Sequence, residues 1–356
     1  MKRILIVTLV AAMLLGLCAC GTEETTVTTT ASSAISKSQI VPGTSAVSAT
    51  SEKPTEPAPV EEGTMRVYSL KGPTSMGLAT VLRDSEAGTA NLHYVSTICT
   101  TADEVTAALV NGSADAALLP ANAAAALYNK AGGFSVVAIN TLGVLYVVEN
   151  GDTVHTVKDL AGKTVCLTGK GTTPEYALRY LLAANGIEDQ VTLEFKSEAQ
   201  EVVAAMGENV ATIGLLPQPF VTAAMMQNDQ LRLALDLTKE WEAVSENGTL
   251  VTGVTVVRKE LLDEHPDMVS AFVKDCIIGV ENVNADPAVA AELIVNMGIV
   301  AKAPIAEKAI PYCNLVCIRE NEMKTLLSSY LQTLFDQNPK AVGGAMPADD
   351  FYFTGD

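Results

Sequence analysis

The sequence predicts an α/β protein of two lobes. Three observations lead there: a short device that occurs twice, an alternation of β-type and helical runs inside each copy, and two long apolar stretches flanking the second copy. Leu70 to Leu82 reads LKGPTSMGLATVL and Leu167 to Leu182 reads LTGKGTTPEYALRYLL, so Lys71-Gly72-x-Thr74 stands beside Lys170-Gly171-x-Thr173. Further on, EVTAAL from Glu104 matches EVVAAM from Glu201, and Leu118-Leu119-Pro120 matches Leu215-Leu216-Pro217, both at an offset of 97 residues. Two similar half-structures follow from such self-similarity.

Each half reads as strand, Lys-Gly turn, helix, strand, helix, strand ending in Leu-Leu-Pro, helix. In the first half the pieces are 66–70, 74–85, 91–96, 102–110, 115–119 and 122–128; in the second they are 164–167, 174–184, 191–195, 198–206, 212–216 and 220–227. Strands alternating with helical patterns argue for parallel sheets covered by helices. Local signals agree. TADE from Thr101 and SEAQ from Ser197 have the form of capping boxes, in which a hydroxyl and a later acid or amide satisfy free N–H groups. Thr173 before Pro174 is a suitable N-cap with a proline in the first turn.

Between the halves runs SVVAINTLGVLYVV, residues 135–148, and after the second runs TLVTGVTVVRKELL, residues 249–262. Two long apolar strands entering and leaving one lobe are the expected form of a pair of hinge strands. From residue 259 on the chain is mostly helical and would pad the first lobe. The expected organisation is lobe 1 at 64–147, lobe 2 at 148–250, and a return to lobe 1 at 251–356.

The segment before residue 64 has another character. Lys2 and Arg3 precede an apolar run to Leu17, the form of a secretory signal peptide at 1–19, and Leu17-Cys18-Ala19-Cys20 resembles a bacterial lipobox in which Cys20 would carry the lipid. The run is shorter than the roughly 20 residues a membrane span takes. Residues 20–63 are Thr, Ser, Ala, Glu and Pro with few large apolar side chains, a composition that cannot offset chain entropy by burial and reads as a disordered leash. What remains, roughly 290 residues, suits two lobes. The formal charge of −18 argues against a nucleic-acid partner. Cys99, Cys166, Cys276, Cys313 and Cys317 are scattered among apolar neighbours and imply neither a disulfide framework nor a metal site; Cys313 and Cys317, four apart, could share a helix face.

In open α/β sheets ligands sit beyond the carboxyl ends of the strands, where helix N-termini converge and their free N–H groups favour negative or hydrogen-bond-accepting groups. Both Lys-Gly turns and both Leu-Leu-Pro turns lie there. The candidate ligand-binding residues are therefore Lys71, Gly72, Thr74, Ser75, Asn122, Gly169, Lys170, Gly171, Thr172, Thr173 and Gln218, with Thr252 and Gly253 where the chain recrosses. TGKGTT lacks the order and length of a Walker loop. His93, His155 and His265 have no partner at ligand or triad spacing, and no catalytic set, metal site or cofactor is expected.

LKGPTSMGLA, GKGTTPEYALRYLL, LLPQPFVTAAM with LALDLTKEWE, VVRKELLDEHPDMV and FDQNPKAVGGAMPADDFYF together resemble substrate-binding lipoproteins of ABC importers. The branch is the one that also holds binding proteins for nitrate, sulfonate, taurine and the thiamine pyrimidine precursor. The resemblance covers the chain after the leash. It implies a type II periplasmic-binding-protein fold, two α/β lobes joined by two hinge strands, closing on a small polar or anionic solute, and a lipid-anchored, extracytoplasmic monomer that delivers the solute to the transmembrane subunits of an ABC permease. It implies no enzymatic activity. The competing expectations are an enzyme on the same fold, of the menaquinone-pathway or thiamine-pyrimidine type, and a sensory or adhesive binding lipoprotein.

Overall fold

The first half begins with β1 (Thr64–Leu70), and its helical run is broken in two, α1 (Pro73–Met76) and α2 (Ala79–Glu86). The sequence shows one helix over 74–85. The break falls at Gly77, whose carbonyl would lie 2.7 Å from a Cβ on Gly279, so a helix of the C-terminal third meets the chain backbone to backbone there. Then follow β2 (His93–Cys99), α3 (Ala102–Val110), β3 (Ala116–Pro120), α4 (Ala121–Ala131) and β4 (Phe134–Leu142). The computed structural model describes residues 61–245 and 248–355. The expected signal peptide, Cys20 and nearly all of the leash lie outside the described residues.

The second half runs β5 (Leu145–Asn150), β6 (Thr164–Leu167), α5 (Thr173–Ala184), β7 (Thr192–Phe195), α6 (Ala199–Gly207), β8 (Ile213–Pro217), α7 (Phe220–Gln227), β9 (Leu231–Asp236) and α8 (Leu237–Val244). The chain returns through β10 (Val251–Arg258), α9 (Lys259–Glu264), α10 (Pro266–Ala285), α11 (Pro287–Asn296), α12 (Ala303–Ala309), β11 (Leu315–Ile318) and α13 (Glu320–Gln337). Cys313 and Cys317 do not share a helix face: Cys313 closes a short 3-10 turn and Cys317 lies in β11.

Two sheets result. One has the order β11-β4-β10-β3-β1-β2, the other β7-β6-β8-β5-β9. Neither is purely parallel. The trios β3-β1-β2 and β7-β6-β8 are parallel, whereas β10 runs antiparallel to β3 and β4, and β5 antiparallel to β8 and β9. The reason is topological: a strand that enters a lobe from the other one arrives against the direction of that lobe's repeat. The first crossing is at Gly143 and Val144, between β4 and β5, and the second lies between α8 and β10. Both sides of β4 are buried, as its near-continuous apolar run requires.

Two of the helix starts differ from the sequence reading. Thr101 and Glu104 form the capping box expected of them. Ser197 does not: Glu198 is the N-cap of α6, and the Ser197 N–H donates to the Glu201 carboxylate, a stronger acceptor than the Gln200 amide. In α5 the N-cap is Thr172, with Thr173 already helical, so Pro174 sits second. The first sheet is tied internally by Asp115, whose carboxylate accepts from Arg66 and from Arg258 of β10. Burial opposes its charge, but these hydrogen bonds outweigh burial and hold its pKa below the ordinary value.

Candidate functional site

In lobe 1 the Lys-Gly turn follows β1, and its hydroxyls turn inward. Thr74 Oγ1 donates to the Leu70 carbonyl at 2.9 Å and Ser75 Oγ to the same oxygen at 2.6 Å, which pins the turn to the strand end. Both residues are buried, while Lys71 is exposed and Gly72 half-buried. Gly72 has φ 140°, a conformation open to glycine. Gly253 of β10 backs this turn closely: a Cβ there would come within 2.4 Å of Thr74 Cγ2 and 2.5 Å of Asn140 Oδ1. It pairs with Pro120 on one side and Thr141 on the other, and half-buried Asn122 stands in the first turn of α4 beyond Pro120. Gly72, Thr74, Ser75, Asn122 and Gly253 are thus brought to one wall, and Asn140 and Thr141, absent from the sequence reading, belong with them. Their side chains form a chain: Thr141 Oγ1 donates to Asn140 Oδ1 at 2.9 Å and Asn140 Nδ2 to Thr255 Oγ1 at 3.1 Å.

In lobe 2 the corresponding turn is occupied by its own helix. The Gly171 N–H donates to Glu175 Oε2 at 2.7 Å, and Glu175 Oε1 accepts from Arg179 Nε at 2.8 Å. The Glu175 side chain is 12% exposed. Burial works against its charge, yet the Gly171 and Arg179 hydrogen bonds, with the charges of Arg179 and Lys170, hold its pKa below the usual carboxylate value. Thr172 Oγ1 donates to the Gly169 carbonyl at 2.7 Å. Lys170 is exposed, its Nζ 5.8 Å from the centre of the Phe195 ring. Gln218 is buried, and its Oε1 accepts from Thr222 Oγ1 at 2.9 Å. Thr74, Ser75 and Thr172 therefore spend their hydroxyl donors within their own lobes.

Between the walls the lobes meet along a seam. Tyr146 of β5 donates from its hydroxyl to the Tyr312 carbonyl at 2.7 Å, Asn314 Nδ2 donates to the Gly143 carbonyl at 2.5 Å, and Asn338 Nδ2 beyond α13 donates to the Tyr176 hydroxyl of α5 at 2.7 Å. Trp241 of α8 is fully buried, with the rings of Tyr180 at 4.2 Å and Tyr330 at 5.8 Å. The Tyr330 hydroxyl lies by Thr173 without a hydrogen bond of good geometry, and burial pushes its pKa up to about 12. Trp241 Nε1, Thr238 Oγ1 and Thr252 Oγ1 are likewise buried without a hydrogen-bond partner. The Thr238 hydroxyl fills the space a side chain at Gly143 would take. Sequence reasoning missed Tyr180, Thr238, Trp241 and Tyr330 as a group because α5, α8 and α13 are far apart in the chain.

A separate cavity of about 640 Å³ is bounded by Lys71 of lobe 1, by Gln200, Phe220 and Gln227 of α6 and α7, and by Ile299 and Ile305 around α12. Its size is that of a small-molecule pocket. Lys71 lines it; Lys170 stands at the Phe195 ring instead, so the two paired lysines do not face one another across this space. Among the described residues no group of three or more His, Cys, Asp or Glu could hold a metal ion, and no helix is long and apolar enough to cross a membrane. The cysteines at 99, 166 and 313 are buried, those at 276 and 317 half-buried, and all five are unpaired thiols.

The model of the NMT1/THI5-like family matches residues 101–290. No curated protein matches the chain. Among solved structures, an ABC transporter protein from Parabacteroides distasonis superposes with a TM-score of 0.70 at 21% identity, over 83% of this chain and 100% of the other. The periplasmic aliphatic sulphonate binding protein SsuA from Escherichia coli gives 0.65 at 16% identity, over 83% and 95%. The desulfurization enzyme DSZB gives 0.55 at 13%, over 82% and 96%. At such identities the likeness establishes the fold, the type II periplasmic-binding-protein fold that the sequence resemblance implies.

Proposed function

Since the chain belongs to the NMT1/THI5-like family, we propose that it is the extracytoplasmic solute-binding component of an ABC importer, capturing a small polar or anionic solute between its lobes and delivering it to the permease. One observation carries this reading: hydrogen-bonding groups from both lobes, Trp241 Nε1 and Thr238 Oγ1 of α8 and Thr252 Oγ1 and Tyr330 Oη of the returning segment, are buried unpaired, with Thr238 at the crossing at Gly143 and Trp241 against the Tyr330 ring. A buried polar group without a partner is costly, commonly about 1–3 kcal/mol. A solute that pairs with such groups from both lobes binds the closed arrangement more tightly than an open one, and that difference in affinity is what closes a hinged protein. The similarity to a sulphonate binding protein and to an ABC transporter protein supports the same reading.

In this reading the thirteen residues of the paired turns and the recrossing strand form the rim of the site, with Lys71 at the separate cavity it lines. Cys20 carries the lipid, residues 20–63 are the leash, and the folded part works as a monomer at the outer face of the membrane. No chemistry is required of it. DSZB shows that the same fold can serve an enzyme, so the test separates the two. The purified protein is melted against anions, sulfonates, pyrimidines, amino acids and small vitamins, and each well is analysed by mass spectrometry. A solute at about a hundredfold over its Kd adds roughly 2.7 kcal/mol, a shift of several degrees, and is recovered unchanged. A compound that is consumed, or no shift with any class, sinks the transport reading.

A further inference from the structure

The turn at Gly169 to Thr172 has the outline of an anion site, with glycines, a lysine and the start of the 12-residue helix α5, but the backbone donors of Gly171 and Thr172 are already taken. The Gly171 N–H points at Glu175 Oε2, the Thr172 N–H at the Gly169 carbonyl, and Pro174 brings none. The nearest guanidinium, Arg179, gives its Nε to the other Glu175 oxygen and its Nη1 lies 3.5 Å from Glu188. Lys170 adds its charge to the same carboxylate. The end of α5 also reaches the seam, since Thr173 adjoins Tyr330 and Tyr176 accepts from Asn338.

We propose that Glu175 is a built-in occupant of the lobe-2 turn that bars anions from it, so that a solute meets this wall with an uncharged or cationic group and turns any anionic group toward Lys71. This rests on the solute-binding reading above and narrows it. The physical argument is substitution. A second anion would have to displace a carboxylate held by a backbone donor and a guanidinium, or lie beside that carboxylate, and like charges in a partly buried site repel strongly. The side chain remains charged across the neutral range because its hydrogen bonds favour the ionised form. In lobe 1 the turn carries no such carboxylate; its hydroxyls hold only the Leu70 carbonyl.

The test needs no solute. Wild type, Glu175→Ala and Glu175→Gln are melted in sodium chloride and in rising sodium sulfate at matched ionic strength. Sulfate strengthens apolar burial in any protein, so the difference between variants is the readout. Glu175→Ala, with the Gly171 N–H and Arg179 released, is expected to gain a saturable upward shift of a few degrees that wild type lacks, and adding Arg179→Ala is expected to remove it. The same response in wild type and variant, or none in either, overturns the proposal. Should Glu175→Ala not fold, Glu175→Gln keeps the shape and loses the charge, and a sulfate response no greater than wild type then overturns it. Failure here leaves the solute-binding reading standing, whereas a sulfate-responsive variant beside an empty compound screen counts against the transport reading alone.

Discussion

The two Lys-Gly turns occupy matching places in the two halves, yet they are held by different means. The lobe-1 turn is braced by neutral contacts: two hydroxyls on the Leu70 carbonyl and a glycine of β10 pressed behind them. The lobe-2 turn is braced by charge, a carboxylate reaching back from α5 to a backbone N–H and forward to Arg179. A duplicated backbone thus keeps its shape while the charge balance it offers changes, from an exposed lysine lining a cavity to a turn whose lysine is offset by a carboxylate from within.

The strongest way to break the comparison is to fill the space behind the lobe-1 turn. Gly253→Val would force atoms to within 2.4 Å of Thr74 and 2.5 Å of Asn140, and overpacking of this kind costs about 2–3 kcal/mol. Urea unfolding should show the loss, and it should exceed that of any single change at the lobe-2 turn. Next in size, Glu175→Gln should cost about 1–2 kcal/mol at neutral pH, since it weakens charge-assisted hydrogen bonds. Its signature is in the pH profile. A carboxylate whose folded pKa lies below its unfolded value contributes stability above the unfolded pKa and loses it as pH falls through the folded one. Wild type should therefore lose stability below about pH 4.5 more steeply than Glu175→Gln. Smallest, Ser75→Ala should cost about 1 kcal/mol for one hydrogen bond and leave the slope of the acid limb unchanged, because the lobe-1 turn contains no carboxylate. Equal acid slopes in all three proteins would erase the distinction between neutral and charged bracing.

Much of the fold was legible. The repeat placed the paired turns, the Leu-Leu-Pro strand ends and α7 at 220–227, and the resemblance led to the fold found in the solved structures. Local spacing carried those features, and local spacing is what a sequence displays. The antiparallel strands β5 and β10 were not legible, because their direction depends on partners about 70 to 140 residues away. Nor was the aromatic seam, assembled from α5, α8 and α13. Glu175 is the instructive miss. Thr172-Thr173-Pro174-Glu175 has the spacing of a hydroxyl followed three residues later by an acid, but taking Thr173 as the N-cap moved the frame by one residue and left the glutamate without a role. The turns were thus legible as positions in the fold, whereas the partners that occupy their donors, Glu175 above all, were not.

The sheet orders carry a consequence for how the protein is made. Strand β10 lies between β3 and β4, so β4, complete at Leu142, has no neighbour in its sheet until the chain has travelled through the whole of lobe 2 and come back. Lobe 2 has its last strand by Asp236, as an uninterrupted run of chain. In a polypeptide that emerges from its N-terminus, the inserted lobe can finish first, and the lobe that started first must wait for a keystone supplied by the segment that follows.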